Sequence, residues 1–244
     1  MKKSTACILA AIIFNIAIYY GDCRGQTTLK ERIHFNLGVG WGNYDMRRAE
    51  IFIVAPGEYI YDENLYKRIE GGRELYCEIA FKCMRNIYFV PGIMYSSGDM
   101  DLSEWYRGLF NDQYTPRPQP ILYEAALIAP YLGAQYRNAI HNLDYSIGGS
   151  IYYGFGTLKA HVRSYINPYI FRVYTLKSEG FGHSISIGLS FKLGEYFAIE
   201  NRLGYKNLIT GILEDSHGNE LNNSDLNFNG FFIRGGISIS PWRK

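Results

Sequence analysis

Residues 183–206 read HSISIGLSFKLGEYFAIENRLGYK, and the alternation in this stretch decides the fold. Ile185, Ile187 and Leu189 occupy every second position, while serine, glycine and lysine fill the positions between them. Gly194-Glu195 then interrupts the pattern, and a second alternating run follows. Successive side chains of a β-strand point to opposite faces. The stretch therefore predicts two antiparallel strands joined by a tight turn, each with one apolar and one polar face.

The same alternation recurs along the chain and predicts eight strands. Besides the two in the opening stretch, the runs are Arg32–Asn43, Arg73–Met84, Ile87–Ser97, Leu127–Arg137, Asn142–Gly154 and Gly230–Ser240. Pro91 and Pro130 weaken the third and fourth runs, because proline cannot donate a hydrogen bond to its neighbour strand.

The connections between these runs alternate in length. Residues 85–86, 138–141 and 194–195 are short, whereas 44–72, 98–126, 157–179 and 209–229 are long. Short turns at one end and long loops at the other are typical of outer-membrane barrels. The sequence thus predicts an all-β fold, an eight-stranded antiparallel up-and-down transmembrane β-barrel. Both termini would be periplasmic and the long loops extracellular.

The alternation is compatible with two folds, which differ in the face of the strands that contacts water. If the polar faces met bulk water, the apolar faces would line a soluble cup of the lipocalin type. If the apolar faces met lipid, the charges would lie inside. Aromatic residues at both ends of the runs favour lipid, because such rings collect at membrane interfaces. The predicted girdle consists of Trp41, Tyr95, Tyr153, Tyr205 and Phe231 at the long-loop end, with Tyr136, Phe197 and Trp242 at the turn end.

The polar faces would then fill the barrel interior. They include His34, Asn36, Glu74 and Lys206. An eight-stranded barrel is just wide enough inside for side chains, and a buried charge needs a partner. We therefore interpret the charged residues as a structural ion-pair plug rather than an acid–base site, and we expect no open pore. The predicted interior network is Glu78, Lys82, Asp144, Lys192, Glu200, Arg202 and Arg234.

The first residues resemble an export signal. Lys2 and Lys3 precede an apolar stretch at 6–20, and small residues precede Gln26. We expect 1–25 to be a cleaved signal peptide and 26–244 to be the barrel domain, the alternative being an uncleaved anchor. Without 1–25 the chain carries 22 basic and 22 acidic residues, since three of the 25 Lys+Arg and one of the 23 Asp+Glu are removed. This neutral balance gives no argument for a nucleic-acid partner.

Two cysteines remain after the signal. Cys77 and Cys83 share one face of a predicted strand, about 20 Å apart, so we expect both to be free.

Three segments carry a resemblance to a known family. They are VPGIMYS at 90–96, APYLGAQYR at 129–137 and RLGYKNLI at 202–209. Together they resemble the small outer-membrane β-barrel family that includes PorT-like proteins of Bacteroidota. The resemblance implies an outer-membrane location. It also raises the expectation of a helper role in a secretion system, because PorT is associated with one.

The sequence matches no catalytic or metal-binding motif well. A lipid A deacylase would present a His-x-Ser pair on one strand face, but in His183-Ser184-Ile185 the position that shares a face with the histidine is isoleucine. The acid-rich segment 214–225 does not follow the calcium-binding order of an EF-hand. We expect no catalytic residue, no cofactor and no metal.

The predicted function is a non-enzymatic structural or interaction role in the cell envelope. Expected partners are outer-membrane lipid, lipopolysaccharide and other envelope proteins, and we expect a monomer. A surface adhesin acting through 98–126 and 157–179 is the first alternative. A lipid-modifying enzyme and a soluble lipocalin-like carrier are the others. The basic and aromatic residues of 157–179 fit strands that rise above the membrane better than they fit a lipopolysaccharide site.

Overall fold

The chain forms a closed antiparallel barrel in a computed structural model that describes residues 33–44, 53–55, 58–59, 71–101, 119–163, 171–221 and 225–240. Eight long strands make the wall, which confirms the predicted fold. The predicted signal peptide lies outside the described residues. The strands are β1 (Ile33–Gly42), β2 (Ile53–Ala55), β3 (Glu58–Tyr59), β4 (Gly72–Lys82), β5 (Ile87–Asp101), β6 (Gln119–Ile140), β7 (Leu143–Arg163), β8 (Phe171–Lys192), β9 (Phe197–Leu208), β10 (Leu213–Glu214), β11 (Glu220–Leu221) and β12 (Gly230–Ile239).

The wall runs in the order β1, β4, β5, β6, β7, β8, β9 and β12, and β12 pairs again with β1. The closing pair runs from Phe35 opposite Ile239 to Gly42 opposite Phe232. Closure matters because an unpaired backbone N–H or C=O inside hydrocarbon costs several kcal/mol. The small β2–β3 pair forms a separate sheet, and β10 joins β8 at Lys177. No helix within the described residues is long and apolar enough to cross a membrane.

The apolar faces point outward. On β8, Ile187 is 59% exposed, whereas Ser184 and Gly188 are buried on the inner side. The soluble-cup interpretation requires the opposite arrangement, so the structure argues against it. We call the outward apolar residues between the two ends of the wall the belt: Leu37, Val39, Leu75, Ile93, Ile128, Ile147, Ile151, Ile185, Ile187, Leu189, Ile199, Leu203, Ile233 and Ile237.

Three wall strands are much longer than the others. The 22 residues of β6 and of β8 compare with 10 for β1 and 12 for β9. A tilted strand needs only about 9–11 residues to cross the hydrocarbon. Residues 98–101 and 119–126 are strand, which corrects this part of the predicted loop 98–126. The strands at 157–163 and 171–179 confirm the expectation that 157–179 continues the wall as strand. The alternation continued through 98–101 and 119–126, but charged residues replaced outward apolar ones and hid the strand signal.

We call residues 119–125, 157–163 and 171–179 the extension. Its outward face carries Glu124, Lys159, Lys177 and Glu179, which are solvent-facing residue types. Its inner face is apolar and includes the buried Tyr123, Leu158 and Leu176. This corrects the expectation of a lumen that is polar throughout. The inner face is dry because the segment after β9 folds over it, and Leu213, Leu226 and Phe228 of that segment are fully buried.

Candidate functional site: the ionic network of the lumen

Six ionisable side chains lie buried together in the middle of the barrel. Three are acids and three are bases, so their formal charges cancel. Each comes from the polar face of a wall strand, which the alternation directs inward. They are Glu74 and Glu78 on β4, Glu200, Arg202 and Lys206 on β9, and Arg234 on β12.

The cluster nearer the long-loop end is centred on Glu74. One carboxylate oxygen accepts a hydrogen bond from Lys206 Nζ at 2.7 Å, and the other accepts one from Arg234 Nε at 2.7 Å. The hydroxyl of Tyr44 also donates to Glu74 and contacts Ser96 Oγ. One acid thus compensates two bases here, and the second positive charge is balanced elsewhere in the network.

The cluster nearer the turn end is centred on Glu78. Arg202 binds it through two nitrogens, at 2.7 and 3.0 Å, in the planar bidentate geometry that strengthens such pairs. Asn36 Nδ2 donates to Glu78 at 2.8 Å and the Tyr131 hydroxyl donates at 2.6 Å. Arg202 also reaches Glu200 at 2.6 Å. Two acids therefore share one arginine, which offsets the excess positive charge around Glu74.

Aromatic rings and a thioether complete the packing around the cations. The Arg234 guanidinium lies 4.2 Å from the centroid of Phe232 and 5.4 Å from that of Tyr76, within cation–π range. Its Nη2 also lies 2.9 Å from Met94 Sδ. Glycine is required beside Tyr76, because a Cβ on Gly236 would lie 2.5 Å from the Tyr76 hydroxyl oxygen. The glycines of the polar faces thus make room for the large inward side chains.

The predicted interior residues divide into two groups. Glu78, Glu200, Arg202 and Arg234 lie in the buried network. Asp144 and Lys192 form a separate, partly exposed pair at the turn end, with 2.7 Å between Nζ and Oδ1.

Lys82 also lies at the turn end and takes part in no ion pair within the described part of the chain. Arg137 lies 4.0 Å from Glu200 and binds Gln135 at 2.7 Å, which couples the turn end to the network.

The predicted network omitted Glu74 and Lys206, although both were placed on polar faces. It also omitted Tyr44 and Tyr131. Tyr131 shares the inward parity of Gly133 and Gln135 on β6, so its direction was readable from the sequence. Tyr44 follows the end of β1, where alternation no longer indicates a direction.

The described girdle residues lie outward at two levels, one near the turn end and one just below the extension. Tyr205 and Phe231 pack edge to face, with ring centroids 5.2 Å apart. The ring centroids of Tyr153 and Phe181 lie 4.7 Å apart. Trp41 and Tyr95 lie outward at the same end, and Tyr136 and Phe197 at the other. Trp242 lies outside the described residues.

All six ionic side chains of the network are buried, with exposed fractions of 0–5%. His183 lies outward beside Ile185, as the alternation predicted. Within the described residues, no three His, Cys, Asp or Glu side chains converge to hold a metal. Cys77 and Cys83 are exposed and free.

The acid-rich segment after β10 is organised as a turn. Asp215 Oδ1 accepts backbone hydrogen bonds from His217 at 2.7 Å and Asn219 at 2.9 Å, while Oδ2 accepts one from Asn219 Nδ2. The hydrogen bonds from Asn219, side chain first, are the main cause of a lowered pKa for Asp215. The acid thus uses its oxygens to hold the turn, an Asx-type role.

Comparisons with known proteins support the fold. No family model and no curated protein matches the chain. Among solved structures, the outer membrane protein OprG from Pseudomonas aeruginosa is similar with a TM-score of 0.51 and 12% identity, covering 85% of this chain and 95% of that one.

Two further structures match at lower scores. Neisserial surface protein A gives a TM-score of 0.47 with 8% identity, covering 85% of this chain and 96% of that one. The outer membrane protease OmpT from Escherichia coli gives 0.46 with 11% identity, covering 88% and 99%. At these identities the likeness extends to the barrel fold alone. The narrower PorT-like resemblance finds no support among the matches.

Proposed function

We propose that this chain is an outer-membrane β-barrel protein with a non-enzymatic, structural or interaction role in the cell envelope. Its apolar belt supports membrane insertion, since a surface of this kind is stable only against lipid or protein. The strands and the loops that follow them at the long-loop end would face the exterior, with the termini in the periplasm. The barrel would contribute through the surfaces it presents rather than through transport.

The observation that carries this proposal is the filled lumen. The charge-balanced network closes the middle of the barrel, and the apolar layer around Leu127, Leu158 and Phe228 closes the long-loop half. An ion crossing the lumen would have to displace paired charges and then enter a dry layer. Each step is unfavourable because a desolvated ion is costly in an apolar environment.

Planar-bilayer recording tests this closure. We expect the refolded protein to show no conductance steps above the leak of the bare bilayer. The Glu78→Ala/Arg202→Ala variant should also stay closed, because it opens only the ionic layer and leaves the apolar layer intact. An open porin recorded in the same bilayer is the positive control. Stepwise openings of the wild-type protein would contradict the proposal.

A secretion-machinery helper is the narrower form of this role. A detergent pull-down of the tagged protein tests it, by asking whether subunits of a known export assembly co-purify in fixed proportion. An equal yield of those subunits from an unrelated tagged barrel would remove this form of the proposal.

Surface recognition is a second candidate, favoured by the extension. Its outward face carries both acidic and basic side chains, and His161 Nε2 lies 3.6 Å from Glu124 Oε1. We expect cells that carry a Glu124→Ala/Lys159→Ala/Lys177→Ala variant to adhere less to a host-cell layer than cells with the wild-type protein. The amount in the membrane should be equal. Equal adhesion of the variant and wild type would remove this candidate.

A further inference from the structure

One polar side chain lies exposed in the middle of the belt. Asn201 points outward from β9, midway between Phe197 near one end and Tyr205 near the other. Its outward neighbours along the strand are Ile199 and Leu203, both exposed apolar residues. The described residues offer its carboxamide no hydrogen-bond partner. An amide held in hydrocarbon without a partner is strongly disfavoured.

The surface beside Asn201 is recessed. Gly235 of β12 lies directly opposite Asn201 in the strand register, and Val39 of β1 lies opposite Gly235 on the other side. Glycine leaves the position between them without a side chain. Asn201 Oδ1 leans toward this gap and lies 3.4 Å from the position a Gly235 Cβ would take. The outer face of β9, β12 and β1 therefore has a shallow notch with an amide at its edge.

These features match what stabilises association inside membranes. Lipid tails are as apolar as the belt, so apolar contact alone gives little preference for protein over lipid. Small residues that allow close approach, and polar side chains that find partners across an interface, supply the preference instead. Gly235 and Asn201 provide both on one face. No other outward position between the girdles carries an amide among the described wall strands.

We propose that this face binds a second copy of the chain, with Asn201 of each copy bonded to Asn201 of the other. Two copies insert in the same direction, so Asn201 lies at the same depth in both. A two-fold axis along the membrane normal then brings the two amides together. A carboxamide carries both a donor and an acceptor, so the pair can form reciprocal hydrogen bonds. This departs from the monomer that the sequence led us to expect.

Energy transfer between labelled copies in phosphatidylcholine vesicles measures the association. Full-length protein, half with donor and half with acceptor dye, is reconstituted over a range of protein-to-lipid ratios. We expect concentration-dependent transfer for the wild type. Asn201→Leu should require about 3- to 20-fold more protein for half-maximal transfer, the range set by hydrogen bonds measured inside membranes.

A matched pair of glycine variants separates this face from the rest of the barrel. Gly235→Leu fills the notch and covers the amide, so it should weaken association at least as much as Asn201→Leu. Gly149 on β7 is also outward, and its added Cβ would likewise lie 3.4 Å from the nearest atom. Gly149→Leu should leave association unchanged, because β7 lies three strands away from β12, which carries Gly235.

Cross-linking gives an independent readout. In a Cys77→Ala/Cys83→Ser background, oxidation should join copies that carry Asn201→Cys. Copies with Ile93→Cys, on the opposite side of the barrel, should remain single.

Three results would overturn the proposal. They are a wild-type protein that shows no transfer at any ratio, an Asn201→Leu variant that associates as tightly as wild type, and a Gly149→Leu effect equal to that of Gly235→Leu. A membrane-embedded partner of another kind would produce the first result. Each outcome is independent of conductance, so failure here leaves the closed lumen untouched.

Discussion

Replacing Glu74 with leucine should lower the free energy of unfolding by about 3–5 kcal/mol, the range seen when one partner of a buried ion pair is removed. The change leaves Lys206 and Arg234 as buried bases without their carboxylate, which lies 2.7 Å from each in the wild type. Reversible unfolding from lipid vesicles in guanidinium, followed by tryptophan fluorescence, measures the loss.

Two controls make this result specific. Asp144→Leu removes an acid whose partner, Lys192, is partly exposed, so it should cost only about 0–1 kcal/mol. The quadruple variant Glu74→Leu/Glu200→Leu/Lys206→Met/Arg234→Leu removes two acids and two bases together, leaves Glu78 paired with Arg202, and should recover most of the stability, because apolar residues can replace buried ions without loss. Equal stability of Glu74→Leu and wild type would show that the network is solvated.

Placing arginine at Ile187 should cost about 2–4 kcal/mol, as expected for a lipid-facing charge near the middle of a bilayer. Val173→Arg is the matched control. Both residues lie outward on β8, with exposures of 59% and 53%, but Val173 belongs to the extension. It should therefore change stability by no more than about 0.5 kcal/mol. The same vesicle unfolding experiment measures both variants.

Similar losses at the two positions would contradict the boundary drawn between belt and extension. A small loss at Ile187→Arg would contradict the contact between the outward face of β8 and lipid. The two variants on one strand thus test membrane placement without assuming any partner or activity.

The barrel fold could be predicted because the alternation within each strand shows which residues share a face of the sheet. Every second residue of HSISIGLSFKL had to share a face, and only closure satisfies the backbone of such strands in lipid. The extension was predicted only in part: strands were expected within 157–179, but their bounds were not given and residues 119–125 were assigned to a connection. Around Lys159 and Lys177 the outward residues are charged, so the contrast between the two faces that marks a membrane strand is lost there.

For the ionic network, the sequence predicted most of the residues that take part but not which residues form ion pairs with each other. The inward direction of Glu78, Arg202 and Arg234 follows from alternation. Their partners depend on the vertical offset between strands that lie across the lumen, and the sequence does not contain that offset. Lys82 was misjudged on this ground, since it is inward on the same strand as Glu78 but lies at the turn end, away from the network.

The dry inner face of the extension depended on a contact that the sequence could not reveal. Phe228 and Leu226 lie in a segment rich in asparagine and acids, which reads as solvated. Their burial follows from bridges between this segment and the end of β9, such as the hydrogen bond from Phe228 N to Leu208 O at 2.8 Å. A contact between segments that are distant in the sequence cannot be predicted from local residue patterns.

The pairing partners in the network are far apart along the chain, and this has a consequence for assembly. Glu74 and Arg234 are separated by 160 positions, Lys206 and Glu74 by 132, and Arg202 and Glu78 by 124. Glu74 and Glu78 on β4 meet these partners only after β9 and β12 have formed, although Arg202 also pairs with Glu200 on its own strand. A partly formed barrel that entered the bilayer would expose unpaired charged side chains to the acyl chains of the lipids. We therefore expect membrane insertion and barrel closure to be coupled, with the slow kinetics typical of long-range contacts.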